Sequence, residues 1–485
     1  MCGILGIVLS ENAQESTSMA PMAVDCLTAL QHRGTESSGL VGTNGCFNDH
    51  FEIVKGHGLV RDVYSNESMG ALKDSIAVVG HNRYSTAGMK NAINCVQPFV
   101  LYTAAGLIAV AHNGELVNAH RSRDKILRSG VGLSTDTDSE LIGQIISKTI
   151  AQNIKCRGEN YEISGDISKE LAATMSAIEL SYSLVVMTYD RIYAIRDPYG
   201  NRPLSIGQIF STKKPKNGNV NTPLAFIVAS ETCAFPAGTK FHSEVEAGEL
   251  IEISKTGVKS VWQPKAFCIF EYVYFARADS MFEGQQVHGV REECGKILAI
   301  ESPIEVDIVS TVPDSATAAT LGYSLQSKVP YEPVLYRNVY VGRSFIQPNN
   351  EMRQTAVTRK FGVLKDNVVD KKIVLIDDSI VRGNTMRIIV SMLKEHGAKE
   401  VHLRIASPPL RYPCYMGINI ASKNELIASK LDENEIAESL GADSVKYLTL
   451  EGLEKAVQKG AKLPTESIGH CVACLNGKYP ISIDF

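Results

Sequence analysis

The chain has 485 residues, 44% of them hydrophobic and 21% charged, and its 49 basic and 53 acidic side chains leave a formal net charge of -4. That length exceeds one ordinary core and predicts two large domains, while the mixed charge offers no electrostatic footprint for DNA or RNA. No apolar run approaches the ~20 residues that span a bilayer, and the start MCGILGIVLS lacks the basic region and longer apolar core of a signal peptide, so a cytoplasmic protein without a membrane partner is expected.

Along the first ~250 residues, CGILGIVLS, SIAVVGHNRY, GLIAVAHNGEL, YSLVVMTYDRIYAIRD and AFIVAS are apolar, β-branched runs between turn signals, and predict layered sheets. Leu141, Ile142, Ile145 and Ile146 share one face of a helix predicted over 137–152, and a second helix is expected near 170–179. The polar stretch 211–223 reads as a hairpin loop. After ~265 the pattern becomes alternating: EVDIVSTV leads to a helix from about Ser315, and KKIVLIDD leads through TMRIIVSMLKEHGA to EVHLRIAS. This is the βαβ rhythm of a parallel sheet. The division expected is an α+β domain over 2–255 and an α/β domain over 256–485.

Chemistry-bearing residues begin at Cys2. With Met1 removed, one residue would carry both a thiol and a free α-amine, a nucleophile with its own base of reference pKa about 7.7–8.0. In HNGE, the amide of Asn113 and the backbone N–H of Gly114 can point two donors at one oxyanion. Arg83 in HNRYSTAG can hold a carboxylate and Asp138 in STDTDSE an ammonium, together clamping an amino acid at both charged ends.

With MCGILGI, HRGTESSG, HNRYSTAG, AHNGELVN, STDTDSE, RDPYGNRPL and ASETCAF in this order, the first half resembles the class II, N-terminal-nucleophile glutamine amidotransferases. The resemblance implies an αββα sandwich, Cys2 as nucleophile, Asn113 and Gly114 as oxyanion hole, and Arg83 and Asp138 as glutamine-binding residues. Thr35 and Ser38 depart from the expected HRGQESAG, and Asn82 sits inside the arginine motif; neither change removes a catalytic group.

In VLIDDSIVRGNT, residues 374–385, a strand ends in two acids and passes through a short loop into a helix, whose N-terminal amides and dipole suit a phosphate. The acids can accept from ribose hydroxyls or face Mg2+. This segment resembles the phosphoribosyl pyrophosphate motif of the type I phosphoribosyltransferases. The resemblance implies that Asp377 and Asp378 bind ribose and Mg2+, that Ser379, Arg382, Gly383 and Thr385 lie in the 5′-phosphate cradle, and that Ser315 meets pyrophosphate or metal. It also makes residues 337–361, with four Arg and one Lys, a closing loop. Both halves together imply an amidotransferase whose acceptor is phosphoribosyl pyrophosphate, at the first committed step of purine synthesis. A different acceptor, or a non-catalytic sensor of phosphoribosyl pyrophosphate, are the rival readings; the motif at 374–385 opposes the first and the complete nucleophile set opposes the second.

Eleven cysteines without a secretory signal argue against a disulfide framework. CVAC at 471–474 is a chelating pair compatible with zinc, a redox dithiol or an iron–sulfur cluster. The iron–sulfur-containing subgroup is matched at Cys268, Cys414, Cys471 and Cys474, which implies a [4Fe–4S] cluster of structural or oxygen-sensing use, with zinc on the same four thiolates as the alternative. Feedback inhibition by purine nucleotides and assembly as a homotetramer or homodimer are further implications of the resemblance.

Overall fold

The computed structural model describes residues 2–13, 19–47, 50–84, 93–157, 166–179, 181–211, 222–260, 267–339, 359–418, 422–461 and 469–480. The 211–223 loop and the 337–361 closing loop fall largely outside them.

Two antiparallel sheets build the first half. One has the order β11-β9-β10-β1-β4-β2-β3, comprising β1 (Gly3–Leu9), β2 (Ser37–Thr43), β3 (Glu52–His57), β4 (Ala77–Arg83), β9 (Ser205–Ile209), β10 (Ala225–Ala229) and β11 (Thr239–Glu244). The other runs β13-β12-β8-β7-β6-β5, comprising β5 (Phe99–Thr103), β6 (Gly106–Gly114), β7 (Tyr182–Met187), β8 (Arg191–Arg196), β12 (Leu250–Ser254) and β13 (Gly257–Ser260). The unbroken apolar run of β1 has a physical cause: both of its faces are covered. Ile4 and Val8 join Ala109, Val185 and Ile192 between the sheets, while Leu5 and Ile7 meet Ala23 and Leu27 of the helix Met19–Ala29. On the far side, Leu141, Ile142, Ile145 and Ile146 of the helix Asp138–Arg157 pack on Ile108, Val110 and Leu184. The layers are therefore helix, sheet, sheet, helix, the αββα sandwich that the resemblance implies.

The second half holds a parallel sheet of four strands in the order Ile308–Thr311, Lys372–Asp377, Glu400–Ile405, Ser444–Tyr447. Alternate residues face opposite cores. Val309, Val374 and Ile376 pack with Val290, Leu298 and Tyr323, whereas Ile308, Ile373 and Leu375 pack with Met386, Ile389 and Leu393 of the helix Asn384–Glu395. This is the α/β architecture of a type I phosphoribosyltransferase, and the helix expected from about Ser315 runs Thr317–Ser327. Between the halves, Phe267–Cys268 pairs in parallel with His470–Cys471, tying the end of the chain to the start of the second half.

The helices Val287–Glu301 and Thr317–Ser327 cross with almost no gap. A Cβ on Gly295 would lie 1.8 Å from the Ala319 carbonyl oxygen, and one on Gly322 would lie 1.9 Å from that of Glu292. Gly295→Ala must therefore push the helices apart. A destabilisation of about 1–3 kcal/mol is expected, read as a lowered melting temperature, because such a contact is backbone against backbone and no side chain can yield.

Candidate functional site

Cys2 immediately precedes β1 and is almost wholly buried. Its backbone N donates to Asn113 Oδ1 at 3.1 Å, its thiol donates to the Tyr84 carbonyl at 3.7 Å, and the Tyr84 N–H donates to Sγ at 3.5 Å. Burial pushes the thiol up from its ordinary value, partly offset by the nearby chain-terminal cation and the Tyr84 N–H. Asp138 raises it a little further and Arg83 lowers it, which places both charges within reach of the sulfur.

Three elements deliver these groups. Arg83 ends β4, Asn113 and Gly114 end β6, and Asp138 opens the helix Asp138–Arg157, where an acid complements the helix dipole. Gly114 can only be glycine, since a Cβ there would lie 2.0 Å from the Ser181 carbonyl oxygen. Asp138 accepts from Leu116 N at 3.0 Å and from Ser139 Oγ at 3.3 Å. Burial, then the charge of Asp138, raises the Glu115 carboxyl to about 7. The Nδ2 of Asn113 is buried and, among the described residues, meets no acceptor. A buried donor without a partner is costly, so this nitrogen is a ready place for an incoming oxygen. Residues 85–92, the rest of the arginine motif, lie outside the described residues.

The sequence reading assigned no role to Arg33 of HRGTESSG. Its Nε donates to the Cys2 carbonyl at 2.9 Å, Nη1 to Glu231 at 2.6 Å, and Nη1 and Nη2 to the two oxygens of Glu271 at 3.2 Å each. Burial alone would weaken its charge, but Glu271 and then Glu231 outweigh it and raise the guanidinium above its usual value. Among the described residues, His32, Glu231 and Cys233 form the group whose metal-ligating atoms all lie within 4.8 Å. A cation there is opposed by Arg33 on the same carboxylate, which also accepts from His32, Arg277 N and Ser280 Oγ.

The second cluster lies at the carboxyl edge of the parallel sheet, the usual ligand position in such folds. Asp377 ends its strand; Asp378 N donates to the Asp377 carboxylate at 2.9 Å, and Ser379 Oγ donates to that of Asp378 at 2.6 Å. Ser315 is drawn to the same carboxylate across the sheet edge. Burial raises both acids; Asp377 is raised further by Asp378, while Ser315, Ser379 and Arg291 hold Asp378 down. Gly383, with φ 78, caps the helix that contains Thr385, leaving first-turn N–H groups at its mouth. Arg382 pairs with Glu425 on the surface.

Four thiols from distant segments converge. Cys268 and Cys471 are register partners, Cys474 O accepts from Arg411 N and Tyr412 N at 3.1 Å each, and Cys414 Sγ accepts from Met416 N at 3.4 Å. Burial, then the neighbouring Cys268, pushes Cys414 up to about 11 and Cys471 up to about 12; Cys474 is raised by burial and by all three other cysteines.

Comparison with known proteins places these clusters in context. The family described as "Glutamine amidotransferase domain" matches residues 81–214. Amidophosphoribosyltransferase of Mus musculus is 47% identical, covering 100% of this chain and 98% of the relative. That of Bacillus subtilis strain 168 is 38% identical, covering 99% and 94%. A solved structure of glutamine phosphoribosylpyrophosphate amidotransferase from B. subtilis, complexed with ADP and GMP, superposes with a TM-score of 0.84 at 37% identity, covering 100% of this chain and 98% of that one.

The Asn113 Nδ2, unpartnered among the described residues, gives an expectation for its proposed role as an oxyanion donor. Asn113→Ala should lower kcat for glutamine hydrolysis about 10²–10³-fold in a steady-state assay, the range for losing one oxyanion donor, with a much smaller change in KM.

Proposed function

The chain belongs to the amidophosphoribosyltransferase family, and from that membership we propose how its residues divide the reaction. The enzyme transfers ammonia from glutamine to C1 of 5-phosphoribosyl 1-pyrophosphate, forming 5-phosphoribosylamine, pyrophosphate and glutamate at the first step of purine synthesis. The observation that carries the residue assignment is the convergence of Cys2, Asn113, Gly114, Arg83 and Asp138 from separate elements around one buried sulfur.

In this reading the Cys2 sulfur attacks the side-chain carbonyl carbon of glutamine, and its proton passes through the α-amine to the departing ammonia. Asn113 Nδ2 and the Gly114 N–H hold the oxyanion, and water then releases glutamate from the thioester. Arg83 binds the α-carboxylate and Asp138 the α-ammonium. In the second half, Asp377 and Asp378 accept from the ribose hydroxyls, and the loop from Ser379 through Arg382 and Gly383 to Thr385 holds the 5′-phosphate on first-turn amides. Ammonia attacks C1 as the bond to pyrophosphate breaks.

Asp377, Asp378 and Ser315 fit a Mg2+ site, because two buried neighbouring carboxyls raised by desolvation gain most from a cation. When bound, the ion neutralises charge on the leaving diphosphate. The four thiols fit a [4Fe–4S] cluster better than zinc. Zinc with sulfurs at about 2.3 Å would draw them to roughly 3.8 Å apart, whereas among the described residues no three of these cysteines fall inside a 4.8 Å group. A four-iron cube needs the wider frame. The domains are proposed as 2–255 and 256–485, with the hairpin from β12 to β13 crossing that division. Purine nucleotides are proposed as feedback ligands on the strength of the ADP and GMP in the B. subtilis relative. The cytoplasm and a homotetramer or homodimer complete the proposal; among the described residues no helix is long and apolar enough to cross a membrane.

Two measurements test this division. Cys2→Ala should abolish glutamine-dependent synthesis and keep the ammonia-dependent reaction, while Asp377→Asn with Asp378→Asn should suppress both; loss of both activities in the Cys2 variant would contradict two separate sites. Protein purified without oxygen should contain iron and acid-labile sulfide in nearly equal amounts. Zinc without sulfide would refute the cluster.

A further inference from the structure

We infer that Glu271, in the phosphoribosyltransferase half, is a positioning residue for the Cys2 nucleophile in the other half. The inference rests on Cys2 being the nucleophile and adds what holds it in place.

Arg33 is the only described side chain whose donor reaches the Cys2 carbonyl in the hydrogen bonds above, and its fork is rigid and planar. Where Nε points is therefore fixed by where the two Nη atoms are held. Glu231 takes one of them, at 2.6 Å. Glu271 takes both, one oxygen on each, and this two-point grip sets the plane of the guanidinium. Without it, the fork can pivot about its single remaining carboxylate, carrying the Nε–H and the Cys2 carbonyl with it. The Cα next to that carbonyl carries the thiol side chain.

Glu271 is itself held from the acceptor side. It opens a short π-helical turn, Glu271–Phe275, three residues after Cys268. Arg291 ties that turn down, its Nε donating to Tyr272 O at 2.6 Å and its Nη2 to Ala276 O at 2.8 Å and Glu271 O at 3.5 Å. The charge of Arg291 also acts on Asp378. Arg202, buried beside Glu271 at 3.6 Å, completes the charge balance. The support of Cys2 is thus anchored in a turn held by Arg291, whose charge also acts on Asp378, and Glu271 supplies the bond to Arg33 Nη2 beside the one that Glu231 makes to Nη1.

The test is a kinetic split on the full-length holoenzyme. Glu271→Gln keeps shape and removes charge. Glutamine hydrolysis should lose about 10–100-fold in kcat, the cost of misplacing a reacting group by a fraction of an ångström to an ångström. KM for glutamine and ammonia-dependent synthesis should each stay within about twofold. A merely structural role would lower both activities together, and that outcome, an unchanged kcat, or an effect confined to KM would each overturn the inference. If Glu271→Gln does not yield folded protein, Glu271→Asp keeps the charge but withdraws it by one methylene and reads the same split. Arg33→Gln supplies a second arm: if Glu271 acts through Arg33, adding Glu271→Gln should cause little further loss of kcat, whereas multiplicative losses would overturn it. Cys2→Ala run in parallel separates the two ideas, because residual glutamine hydrolysis there defeats the nucleophile assignment, while a dead Cys2→Ala beside a normal Glu271→Gln defeats only the positioning role.

Discussion

Arg33 carries its charge with 1% of its side chain exposed, and a cation so far from water survives only if it is paired with opposite charge and its donors are hydrogen-bonded. Glu231 and Glu271 meet that condition from opposite halves of the chain. Removing one partner of a buried pair costs about 3–5 kcal/mol, because the remaining charge is stranded. The junction between the halves is therefore a fixed electrostatic joint, and Cys2, the residue just before β1, is fastened to it. Glu231 adds Ser280 and the N–H of Arg277, both from the second half, so the joint is wider than one contact.

Burial acts on all three chemical clusters in the same direction. It pushes the Cys2 thiol, the Asp377 and Asp378 carboxyls and the Cys414, Cys471 and Cys474 thiols toward their neutral forms. In each case burial is the largest influence, and the neighbouring charges and hydrogen bonds offset it only in part. Each group would therefore gain from a partner that brings opposite charge or takes a proton, which is the common physical ground of the three roles proposed for them. The desolvation that raises their protonation energies also magnifies the interaction when that partner arrives.

Sequence was most informative where periodicity reports local burial. GILGIVL and KIVLID read as strands because both faces are covered, and the helix face at Leu141, Ile142, Ile145 and Ile146 lies where the 3.6-residue rhythm put it. Asp377 and Asp378 were legible because their chemistry is contiguous with the strand that presents them. Arg33 was not. Its partners lie 198 and 238 residues away, and nothing local distinguishes a buried guanidinium from a surface one. The cysteine quartet stood between: CVAC is visible as a chelating pair, but Cys268 and Cys414 join it only through a two-residue ladder and a loop, which resemblance could suggest and spacing could not.

The bond from Cys2 N to Asn113 Oδ1 shows how closely the glutamine chemistry is linked. An amide nitrogen and an amine can both donate it, yet only a free amine has the basic lone pair that takes the thiol proton. Asn113 accepts from this nitrogen through its oxygen and offers its unpartnered Nδ2 to the substrate. One planar amide therefore links the placement of the Cys2 nitrogen to that of Nδ2, the two atoms that serve as base and oxyanion donor in the proposed mechanism. Its position at the end of β6, beside a Gly114 locked against Ser181, leaves little freedom for such a rotation. The same strand end that excludes any side chain at position 114 thereby holds the Asn113 amide in place against the Cys2 nitrogen.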